Sequence, residues 1–79
     1  AYEIEIKEAK ELHSFVMDEW KEMRRRLDSS NIKADDEMRT SAESAVVTST
    51  KALDSGDVQS TLKALGKADE LIENLRRRV

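Results

Sequence analysis

Residues 2–27 read YEIEIKEAKELHSFVMDEWKEMRRRL. Tyr2, Ile6, Ala9, His13, Val16, Trp20, Met23 and Leu27 recur at alternating spacings of four and three, a rhythm that gathers them along one side of an α-helix. Leu12 and Phe15 widen that stripe. Glu3, Glu5, Glu8 and Glu11 crowd the beginning, and Lys21, Arg24, Arg25 and Arg26 crowd the end, the distribution a helix macrodipole favours. The alternation Tyr2-Glu3-Ile4-Glu5-Ile6 also suits a short strand, but no other segment offers it a partner. The spacing predicts a helix over 3–27.

Working outward, Asp28-Ser29-Ser30-Asn31 supplies side chains that compete for backbone hydrogen bonds and favour caps and turns, so the helix is expected to stop there. A second helix is predicted over 32–54. Its start falls between Ser30 and Asp36, and Asp35, Asp36 and Glu37 bring negative charge to its first turn. Its inward candidates are Met38, Ala42, Ala45, Val46, Ser49, Ala52 and Leu53, an unusually small face that lets a neighbouring helix approach closely. The hydroxyl-rich run from Thr40 to Thr50 has modest helix propensity, so this helix is expected to depend on its neighbours.

Asp54-Ser55-Gly56-Asp57 is the clearest punctuation. Gly56 suits the left-handed position after a helix and Asp57 suits the cap of the next, so helices 2 and 3 should be antiparallel neighbours. The third helix, predicted over 58–78, repeats the stripe with Val58, Thr61, Leu65, Ala68, Ile72, Leu75 and Val79, flanked by Leu62 and Leu71. Gly66 interrupts it, marking either close packing or a weak point. Three stripes and short turns predict an all-α fold, an antiparallel three-helix bundle running up-down-up, as one domain over 1–79. At 1.5 Å per residue helix 1 is about 38 Å long and the others about 30–33 Å. One end of helix 1 should therefore overhang, and its acidic first turn, with Tyr2 and Ile4, is the candidate to continue upstream or meet another subunit.

Composition agrees with that class: no proline, two glycines, 39% charged and 4% aromatic residues in a chain of 79. The absence of cysteine removes disulfides, thiolate metal sites and thiol nucleophiles. No apolar run approaches the roughly 20 residues of a membrane span, so a soluble protein, cytoplasmic or otherwise intracellular, is expected, with no membrane partner. The chain begins at Ala1 rather than methionine, so a chain that is processed, trimmed or cut from a longer protein is expected.

Catalytic signals are missing. His13 is the only histidine and has no second ligand at metal spacing, so a structural role is expected. No serine sits in a nucleophile elbow, and Gly56 and Gly66 match no phosphate-binding loop. The chain is expected to be no enzyme and to use no cofactor or metal. Trp20 lies on the main stripe and should pack in the core, whereas Phe15, off its centre, can form an exposed apolar strip with Leu12 or Val16. Tyr2, Ile4, Leu12 and Phe15 are the candidate interface.

The runs Arg24-Arg25-Arg26 and Arg76-Arg77-Arg78 fall at one end of an up-down-up bundle, joined by Lys21 and Lys33. They form a candidate basic pole for phosphate or acidic partners, despite a net charge of -3. The competing account is that cations favour helix C-termini and pair with Asp28, Asp35, Asp36 and Glu73.

Ala52-Leu53, Gly56-Asp57, Leu62, Leu65, Ala68 and Leu71 resemble the helical hairpins of tetratricopeptide-type repeats and, more loosely, the first hairpin of translin-like RNA-binding proteins. The resemblance covers under half of the chain, no second copy recurs at a fixed period, and no functional residue carries over. The expected function is a non-catalytic interaction or assembly module whose partner is another protein or a second copy of the chain. The alternative is a nucleic-acid-associated domain that uses the arginine pole.

Overall fold

The periodic stripes become three helices in the computed structural model, which describes residues 1–30 and 36–78: α1 (Tyr2–Ser30), α2 (Asp36–Asp54) and α3 (Val58–Arg78). They pack as an all-α three-helix bundle. The expected start of helix 2, together with Asn31, Lys33, Asp35 and Val79, lies outside the described residues.

The first helix runs past its expected end. Asp28 and Ser29 remain helical because both side chains find partners compatible with the helix: Ser29 Oγ donates to the Arg25 carbonyl at 3.0 Å, and Asp28 accepts from Arg39 of α2 at 2.8 Å. Their competition with the backbone is thereby absorbed inside the helix. As a result the arginines of α1 stand a turn before its end, and its last turn carries no base.

The α2–α3 turn follows its sequence chemistry closely. Gly56 has φ 77°, its N–H donates to the Leu53 carbonyl, and the Asp57 N–H donates to the Ala52 carbonyl, both at 3.0 Å. This pair of bonds is the Schellman arrangement that satisfies the last carbonyls of a helix. Asp57 at once begins α3, its carboxylate accepting from the Ser60 N–H at 3.0 Å and from the Ser60 hydroxyl at 2.8 Å. These bonds hold the Asp57 carboxyl below its ordinary range, the backbone donor contributing most.

One core runs through the bundle. Val16, Trp20, Met23 and Leu27 of α1 meet Ala42, Ala45 and Val46 of α2 and Leu65, Ala68, Ile72 and Leu75 of α3. The small face of α2 is used within the molecule: Ala42 and Ser49 are fully buried, and α2 and α3 share the most extensive contact of the three helix pairs. The buried Ser49 hydroxyl donates to the Val46 carbonyl at 2.6 Å, so no polar hydrogen is stranded.

Two cross-helix bonds set the axial register. Tyr2 Oη donates to the Gly56 carbonyl at 2.8 Å and Arg76 reaches Glu19 at 3.0 Å, so α3 starts level with the first turn of α1 and ends well short of its last. Helix α1 thus outruns α3 at its C-terminal end, where Arg39 of α2 still reaches Asp28, and its N-terminal turn is tied to the α2–α3 turn. The longest dimension of the molecule, 44 Å, is about the length of 29 helical residues.

Candidate functional site

The most distinctive surface lies between α1 and α3. Apolar spacing that exceeds one stripe leaves side chains outside: Leu12 and Phe15 of α1 and Leu62 of α3 are 42%, 61% and 43% exposed. They share one depression of about 200 Å³ with Gly66 and Asp69. Gly66 has nothing within 4 Å of where a Cβ would stand. It therefore marks no close packing within the chain, and its missing side chain deepens the groove.

Phe15 also lines an adjoining depression of about 520 Å³ that extends the groove past Asp18, Glu19 and Glu22 to Arg26 and Arg76. From Leu12 to Arg26 the trough covers about 21 Å of α1, close to four helical turns. Its lining holds four carboxylates (Asp18, Glu19, Glu22, Asp69) and two guanidinium groups. The Arg25 guanidinium, 2.6 Å away, holds the Glu22 carboxyl below its ordinary range with a smaller contribution from Arg26, and Glu22 in turn raises the Arg25 guanidinium. Glu19 Oε2 accepts from Arg76, while its Oε1 is buried without a donor among the described residues. The carboxylates of Asp18 and Asp69 make no hydrogen bond or ion pair with the described residues.

The other candidate interface residues are not part of this trough. Tyr2 and Ile4 are exposed at the far end of α1, where Tyr2 binds Gly56. Leu62 and Gly66 were absent from the expected interface, although the sequence showed Leu62 flanking the stripe of helix 3 and Gly66 interrupting it. What hid their role was that the lateral alignment of α1 and α3 is not written in either helix alone.

The arginine triplets stand at one end of the bundle, since Arg76 of α3 reaches Glu19 of α1. Arg24 lies 4.0 Å from Glu43, Arg25 pairs with Glu22, and Arg76 pairs with Glu19 and with Glu73 at 3.2 Å. Asp28 pairs instead with Arg39. Lys21 and Arg77 make no such contact with the described residues.

A larger depression of about 770 Å³ lies between α2 and α3, where Ser44, Thr48 and Ser60 face Lys63 and Lys67. It offers no large apolar side chain. His13 points toward α2, its Nε2 2.8 Å from Thr50 Oγ1. The Thr50 hydroxyl also lies 3.2 Å from the Val46 carbonyl, so the imidazole joins a short chain of polar contacts between α1 and α2. Trp20, as its place on the stripe predicts, is buried, and its indole N–H donates to Glu43. Among the described residues no three His, Cys, Asp or Glu side chains cluster as metal ligands, and no helix is long and apolar enough to cross a membrane. In comparisons with known proteins, no family model, curated protein or solved structure matches the chain.

Proposed function

We propose that this protein is a non-catalytic interaction module whose α1–α3 groove receives a helix from another protein or from a second copy of the chain. The observation that carries the reading is the placement of Leu12, Phe15 and Leu62, all exposed, around the open space at Gly66. Two parallel helices with apolar side chains along the furrow between them form the receiving half of a helix-in-groove contact. Large exposed aromatics contribute strongly to such contacts once desolvated. The exposed apolar residue of α2, Val47, lies instead in a depression among charged side chains, Arg24, Arg39, Glu43 and Lys51, and serves as the comparison position.

A photo-crosslinking amino acid at position 15 should give adducts with a discrete protein species in the native extract, while the same group at position 47 gives none. Equal adducts from both positions, or none from position 15, would overturn the reading.

A phosphate-binding role for the arginine pole is the second reading, favoured by the meeting of both triplets at one end of the bundle. Pairing of Arg24, Arg25 and Arg76 with carboxylates weakens it, because each pair reduces the outward field. Binding of single-stranded or duplex RNA that falls steeply with salt, and is lost in an Arg25→Glu, Arg77→Glu variant, would move this reading to first place.

A further inference from the structure

Resting on the groove reading above, we infer that the occupant of the α1–α3 groove is an amphipathic helix whose apolar stripe is flanked by lysine or arginine. Charge complementarity identifies it: the lining holds four carboxylates against two guanidinium groups, Arg26 and Arg76, and Arg76 is already paired with Glu19 and Glu73. Asp18 and Asp69 border the apolar floor from opposite walls, one on each helix, and neither has a cationic partner among the described residues. Glu8 and Glu11, each four residues before Leu12 and Phe15, continue the acidic edge along the same side of α1. Glu19, whose Oε1 has no donor among the described residues, adds a further carboxylate to the groove wall.

The alternatives fit less well. An acidic helix would meet uncompensated carboxylates on both walls, and like charges across an interface oppose association. A second copy docked groove to groove would set one acidic edge against another. The lysines of this chain that line depressions sit differently: Lys63 and Lys67 border hydroxyls and alanine, and Lys51 borders one exposed apolar residue, Val47, with Glu43 beside it. A basic helix of about 15 residues spans the distance from Leu12 to Arg26.

The test uses the full chain and two synthetic amphipathic peptides of about 15 residues, one of leucine and lysine and one of leucine and glutamate. Binding is followed by calorimetry at moderate salt. The Leu/Lys peptide should bind at least about tenfold more tightly than the Leu/Glu peptide. Gly66→Leu, whose Cβ would enter open space, should abolish binding, and Asp18→Lys with Asp69→Lys should reverse the preference. Asp54→Lys, at the α2–α3 turn, should leave it unchanged and so exclude simple attraction to an acidic protein.

Equal binding of both peptides, blocked by Gly66→Leu, would overturn the charge assignment and leave the groove as a docking site. Binding of the Leu/Lys peptide that Gly66→Leu does not affect would overturn the proposed location. Failure of both peptides to bind would overturn the groove reading as well. Dimerisation in sedimentation equilibrium that Gly66→Leu abolishes would make a second copy the occupant and sink the inference.

Discussion

Gly56 carries two constraints at once. Its φ of 77° disfavours any L side chain, and a Cβ there would stand 2.7 Å from Tyr2 Oη. Gly56→Ala should therefore cost about 1–2 kcal/mol from backbone conformation alone, plus the displacement of Tyr2. Urea unfolding checks this, and adding Tyr2→Phe should recover the second part only. Asp57 next to it has a pH signature. Because the folded carboxyl is held below its ordinary value of 3.8, its stabilisation is complete above that value and is lost as pH falls through the lowered one. Asp57→Asn should flatten the acid limb of the stability profile, and an unchanged limb would contradict the cap. Both residues were legible in the sequence, since a left-handed glycine followed by a capping aspartate is a local requirement. The bond between Tyr2 and Gly56, separated by 54 positions, was not.

At the scale of the helix, most inward residues came directly from spacing, although Tyr2, first in the stripe of α1, is exposed. Ala9, Val16, Trp20, Met23 and Leu27 are buried on α1, and Thr61, Leu65, Ala68, Ile72 and Leu75 on α3. Residue chemistry misjudged the end of α1, because the propensity of Asp28 and Ser29 to stop a helix yields when a neighbouring helix offers Arg39 as partner. Two substitutions probe the helices individually. Gly66→Ala places a methyl group in open space and should stabilise the protein by about 0.4–1 kcal/mol, read from the thermal midpoint. Ser49→Leu, at the fully buried and small α2 face, should destabilise by about 1–3 kcal/mol through overpacking. A neutral result there would mean that α2 and α3 do not approach as closely as their shared contact requires.

The whole molecule is an elongated bundle of radius of gyration 13.1 Å, against about 12 Å for a rounder domain of this length, and it has a single thin core. A core of this size supports a net stability of about 3–5 kcal/mol, whereas Leu65→Ala should cost about 2–5 kcal/mol. That variant should be substantially unfolded at room temperature by circular dichroism, and full retention of helical signal would show that α1 and α2 need α3 less than the shared core implies. Helix positions, inward faces and the α2–α3 turn followed from neighbours three and four residues apart, interactions that any short segment carries within itself. Axial register did not. Periodicity defines which side of a helix turns inward but not how far one helix slides along another, and only packing of the assembled bundle set Phe15 near Gly66, Arg76 on Glu19 and the overhang at the C-terminal end of α1. The groove exists because of that sliding, which is why its two walls came from residues that no single stripe had joined.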